Sequence, residues 1–246
     1  MRIGLPVFAV ACLLALSIGS ASAGPLWSGS LTYAYPEGEE ADGSLDALGD
    51  WAATGTVLSW DVTYLPNMMW RYAYELDVVH KDISHLILQT STNLTSDDIY
   101  NVTGTVVDDA TSWWSVGLFE TEEGNSNPNM PDSIYGIKFD LGGDYTTLAF
   151  SFDCWRDPVW GDFYAKDGKS KLPGDEDVVA QVWNAGFTYP DWDPPFGDYP
   201  AGSGSVANHV LTPDTTSSAL PETPEPATWV LLGVTGLVGV IRRRRK

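Results

Sequence analysis

Cysteine is scarce in this chain. Only Cys12 and Cys154 occur in 246 residues, and Cys12 falls in an N-terminal apolar stretch. If that stretch is removed on export, Cys154 is alone and an intramolecular disulfide is excluded. Stability must then come from packing, for which a body of about 190 residues is large enough as one domain. Cys154 sits in a strand-like apolar segment and reads as a buried small residue, not a nucleophile. Positive charge is scarce too, with 13 Lys and Arg against 33 Asp and Glu. Six of the 13 (Arg2, Arg242, Arg243, Arg244, Arg245 and Lys246) lie at the ends, so residues 3–241 carry about −26. That balance excludes nucleic acid as a partner bound through its phosphates. It suits a solvated extracellular protein, or one that holds divalent cations.

Histidine is limited to His80, His85 and His209. His80 and His85 are five apart on a strand-like segment and so point to opposite faces. That is poor metal geometry, and no second close ligand completes a site. They read as ordinary surface or half-buried histidines. There is no Gly-rich phosphate loop, no Gly-x-Ser-x-Gly elbow and no His-Glu-x-x-His pair. No internal repeat is evident, and no sustained helical period appears between residues 24 and 220.

Alternation is what the chain does have. Apolar residues fall on every second position of 58–64, and again at Trp70, Tyr72, Tyr74, Leu76 and Val78. Period two over such lengths marks strands with one buried face. Pro66-Asn67 between the runs marks a turn, so 57–78 is expected to form an antiparallel hairpin burying Trp60, Tyr64, Tyr72 and Leu76. Further strands are expected at 86–89, 113–119, 134–139, 147–152, 163–165, 178–183 and 206–211. A weak helical turn is expected near 96–100. The fold class is therefore all-β, a single antiparallel β-sandwich of jelly-roll type over residues 24–211. Residues 190–205, rich in Pro, Gly and Asp, read as a surface loop. Residues 212–223 have linker composition.

Both ends read as addresses. Residues 1–23 have a short basic start, an apolar stretch and a small-x-small site at Ala21 and Ala23, so a secretory signal peptide is expected with the mature chain beginning at Gly24. At the other end come Pro224, Glu225 and Pro226, then 15 uncharged residues (227–241), then Arg242 to Lys246. As a helix those 15 residues span about 22 Å. That is short for a membrane crossing, but snorkelling or local thinning accommodates it. Trp229 sits where an interfacial aromatic belongs, and the basic cluster should stay on the cytoplasmic side. A simple C-terminal anchor is the alternative reading.

The order Pro-Glu-Pro, short apolar span, basic stop over 224–246 closely resembles the PEP-CTERM sorting signal. The resemblance implies an exported bacterial protein processed by exosortase, a membrane transpeptidase, in an envelope-rich organism that makes exopolysaccharide. It implies no fold for the body. Segments 81–85, 133–139 and 158–168 also resemble uncharacterised PEP-CTERM proteins, and no activity comes with that likeness.

Other candidates are fewer. Asp175 and Asp177, and Asp191 and Asp193, lie close together in loop-like stretches and are calcium candidates. No other cofactor is expected. Trp192 and Phe196 lie in a Pro-rich stretch that cannot be a central strand, and are candidates for stacking on sugar rings. Most other aromatics read as core. Asn93-Leu94-Thr95 and Asn101-Val102-Thr103 match a glycosylation pattern. The expectation is a non-enzymatic structural or interaction protein of the envelope or extracellular matrix. A carbohydrate-binding or adhesin module and a secreted hydrolase stand as alternatives.

Overall fold

The computed structural model describes residues 27–34, 44–105, 113–121, 126–167, 179–188 and 201–215. Both expected address segments lie outside these residues. Among the described residues there are thirteen strands, three short 3-10 turns and no α-helix. None of their helices is long and apolar enough to cross a membrane.

Two antiparallel sheets carry the fold. One has five strands in the order β1 (Trp27–Thr32), β3 (Val57–Tyr64), β4 (Trp70–Asp77), β9 (Thr147–Cys154) and β6 (Ile99–Gly104). The other has six: β2 (Leu45–Leu48), β12 (Gln181–Asn184), β11 (Phe163–Asp167), β5 (Ile83–Gln89), β8 (Ile134–Asp140) and β7 (Trp114–Phe119). Only β3–β4, β7–β8 and β11–β12 pair with their sequence neighbour. Elsewhere the chain keeps crossing from sheet to sheet, which is what closes a sandwich rather than a meander.

The expected hairpin is present. Tyr64 pairs with Trp70 and Val57 with Asp77 at its two ends. Leu65 N donates to Met69 O and Met68 N to Leu65 O in the connecting turn. Trp60, Tyr72 and Leu76 are buried as expected. Tyr64 is only half-buried, because it is the last residue of its strand, and its ring stands edge-on to Trp70 at 4.8 Å.

The core lies between the sheets. Tyr72 stacks on Phe152 and Tyr74 on Phe150 within the five-stranded sheet. Phe139 of the facing sheet meets Phe150 at 4.0 Å. Three buried tyrosine hydroxyls each find a carbonyl: Tyr72 donates to Arg156 O, Tyr74 to Leu211 O and Tyr164 to Pro128 O, each at 2.7 Å. That is how phenols enter a core without an unmet polar group.

A third, two-stranded ribbon was not expected. It pairs β10 (Asp157–Gly161) with β13 (Val210–Thr215). Its Pro158 and Pro213 face each other, a position proline tolerates only at a sheet margin. The last strand starts at Val210, not 206, after a turn in which Ala207 and Asn208 have positive φ. It also runs past 211 to Thr215, so the domain reaches into the stretch read as linker. Ile99–Gly104 is likewise a strand rather than a helical continuation, with one 3-10 turn (Ser96–Asp98) before it.

Candidate functional site

The outward positions of the five-stranded sheet form two rows across all of its strands. In the first, Ser28 faces Asp61, Asp61 faces Ala73, Ala73 faces Ser151 and Ser151 faces Thr103. In the second, Ser30 faces Ser59, Ser59 faces Glu75 and Glu75 faces Ala149. Thr105 closes that row: its backbone N–H and its Oγ1 both reach Ala149 O. Every one of these side chains is small except the two carboxylates. The rows beside them carry Arg71 and Asp153 on one side and Asp77 and Thr147 on the other. Together these residues line an open groove of about 810 Å³, in which Asp61 and Glu75 stand above a floor of Ser, Thr and Ala.

Charge in and beside the groove is one-sided. Asp61 and Glu75 stand exposed. Arg71 is engaged by Asp153, with Nε to Oδ1 at 2.7 Å and Nη2 to Oδ2 at 3.0 Å. That hydrogen bond is the main cause of a raised Arg71 pKa. Asn101, at a bulge of β6 with φ of 51°, donates to the same carboxylate at 2.7 Å. Among the described residues, the cation beside the groove is therefore already paired.

The histidines are not what the spacing suggested. His80 lies exposed in a bend before β5. His85 and His209 are buried, so the expectation of surface or half-buried rings is corrected for both. Each is enclosed by residues far away in sequence, Asn127 against His85 and Asp162 against His209. Asn127 Nδ2 donates to Glu120 O, which leaves its Oδ1 facing His85 Nε2 at 2.9 Å. His85 Nε2 therefore carries the proton. Burial is the largest cause lowering its pKa to about 3. His209 Nε2 stands 3.4 Å from Asp162 Oδ1, which also accepts from Asn184 at 2.7 Å. Cys154 is buried, and desolvation pushes its thiol up to about 11.

Several anticipated residues lie outside the described ones. These are Asp175, Asp177, Asp191 and Asp193, the aromatics Trp192 and Phe196, the cleavage residues Ala21, Ala23 and Gly24, and the sorting tail. Among the described residues no group of three His, Cys, Asp or Glu has the geometry to hold a metal ion. Of the later aromatics, Phe163, Tyr164 and Trp183 are core, while Trp155 is 48% exposed. The groove itself was missed by sequence reasoning. Its outward positions Ser59, Ala73, Ala149 and Ser151 are all small, but nothing in the sequence alone brings them together.

No curated protein and no solved structure matches the chain. One family does, over the tail alone: residues 222–246 match the PEP-CTERM protein-sorting motif. The chain thus carries a PEP-CTERM sorting motif, the mark of an exported protein directed to an exosortase.

Proposed function

We propose that this is a non-enzymatic structural or interaction protein of the bacterial envelope or extracellular matrix, delivered and processed through its sorting tail. The observation that carries the reading is the match of residues 222–246 to the sorting motif. In this reading a signal peptide ends at Ala23 and the basic cluster Arg242 to Lys246 holds the precursor in the inner membrane. Pro224 and Pro226 keep the motif extended, a form that a peptidase cleft can grip.

Intact-mass analysis of the protein from its native host tests the tail. The expected wild-type species begins at Gly24 and lacks the basic cluster. Glu225→Ala is expected to leave the full-length form ending at Lys246. A wild-type product that still ends at Lys246, with the exosortase active, would make the tail a simple anchor.

A further inference from the structure

We infer that the outer face of the five-stranded sheet binds a strand of neutral polysaccharide. The inference rests on the reading above only for where the ligand is met, at the cell exterior. The groove itself stands on the register of the sheet.

Its shape suits a polymer. It crosses five strands, so four inter-strand steps of about 4.8 Å give it a length of ~19 Å. Its width is set by two rows of outward residues. Because the floor residues Ser59, Ala73, Ala149 and Ser151 are small, a ring can descend close to the backbone beside Asp61 and Glu75. A flat sheet with ordinary outward side chains would not admit one.

Its chemistry suits hydroxyls. A serine hydroxyl both donates and accepts, and a carboxylate accepts from two neighbouring hydroxyls at once. Asp61 and Glu75 occupy diagonal positions on adjacent strands, which places their Cα atoms about 7–8 Å apart. They can therefore engage successive sugar units. Ser28, Ser30 and Ser59 flank them on the β1 and β3 side.

Charge decides between polymers. Among the described residues no Lys or Arg lines the groove, and Arg71 beside it is paired with Asp153. A polyanionic glycan would meet two bare carboxylates on a strongly acidic domain, so it is repelled. A peptide is the weaker fit for a different reason. Peptides add to sheets at edges, where backbone groups are unpaired, and anchor through apolar pockets. Here the face is offered, and the outward side chains of its floor are Ser, Thr and Ala rather than large apolar groups. Hydrolysis is disfavoured because both carboxylates stand in solvent, whereas a glycosidase acid is kept protonated by burial.

The test is affinity electrophoresis of the exported protein in native gels cast with hydroxyethyl cellulose, xylan, dextran or alginate, with poly-lysine titrated separately. Retardation is expected in at least one neutral gel and not in alginate. Asp61→Asn and Glu75→Gln keep the shape of the groove, and Ser59→Tyr fills it. Each is expected to weaken binding about tenfold or more at unchanged melting temperature. Asp97→Asn, on the 3-10 turn before β6, is expected to change nothing. Absence of retardation in every neutral gel would overturn the inference. So would retardation that all three groove variants retain, stronger binding to alginate or poly-lysine, or release of new reducing ends. None of these results bears on tail processing, which intact mass reads separately.

Discussion

His85 links the core to pH. It sits on β5 between Asp140 of β8 and Lys166 of β11 in the ladder, with the Tyr164 ring 6.3 Å away. Burial is the main cause of its lowered pKa, the charges of Lys138 and Lys166 add to it, and the bond to Asn127 opposes it. A folded pKa of about 3 lies below the unfolded value of ~6.5. Between these two values the unfolded chain binds the proton and the folded one does not. The stability His85 contributes is thus whole above pH ~6.5 and is lost as pH falls towards 3, by at most ~1.4 kcal/mol per pH unit. Asp98 acts in the same direction at the acid end. Burial raises its pKa, but the hydrogen bonds from Thr95 and the charge and hydrogen bond of Arg156 outweigh that and lower it. Asp167 opposes both, since burial raises its pKa and its protonation favours the fold. His85→Gln keeps a donor towards Asn127 without a titrating ring. Melting temperature measured from pH 7 to pH 4 should fall less steeply in the variant than in wild type. Equal slopes would remove His85 as the source of acid sensitivity.

Elements depend on close backbone approach as much as on apolar alternation. Gly136 of β8 pairs with Gln89 of β5, and a Cβ there would stand 2.0 Å from Leu88 O. That oxygen belongs to the backbone of a central strand and cannot rotate away. Gly136→Ala should therefore force β5 and β8 apart and cost about 2 kcal/mol, or ~4–8 °C in melting temperature for a domain of this size. A melting temperature within a degree of wild type would show that the sheet yields there. The same constraint explains which strands were legible in the sequence. The alternation of β3 and β4 was clear because one face of each is core and the other is solvent, and β5, β8 and β9 carry enough Ile, Leu and Phe to read as strands. β1 was hidden by Gly29, which must be bare because a Cβ would lie 2.3 Å from the Trp60 ring. β6 was hidden by its bulge at Asn101, and β10 by Pro158. β2 has only four residues. The groove was illegible for a related reason: its two rows assemble from five strands far apart in sequence, and only the register brings Ser28, Asp61, Ala73, Ser151 and Thr103 into line.

Across the whole molecule, negative charge dominates. Among the described residues, Arg71, Lys81, Lys138 and Arg156 all form ion pairs with carboxylates. Lys166 donates to the carbonyl of Asp167. Acids far outnumber cations along the chain, and their mutual repulsion opposes the compact state. How far that repulsion reaches depends on salt. A domain of about 190 residues has a radius of gyration of ~16 Å. The screening length is ~30 Å at 0.01 M ionic strength and ~8 Å at 0.15 M. At low salt most of the surface charge therefore acts together, and at physiological salt only neighbours do. The melting temperature should rise when sodium chloride is raised from 0.01 to 0.15 M, and a flat response would mean that the acids lie too far apart to interact. Divalent ions separate screening from binding. Magnesium and calcium at the same concentration screen alike, so with no specific site they should raise the melting temperature equally. A calcium site at Asp175, Asp177, Asp191 and Asp193 would break that equality, because binding to the folded state alone adds stability in proportion to the logarithm of the ion concentration above its dissociation constant. A calcium-specific rise that chelator reverses would thus assign the charge excess to ion binding, and equal rises would assign it to solvation of an exported surface.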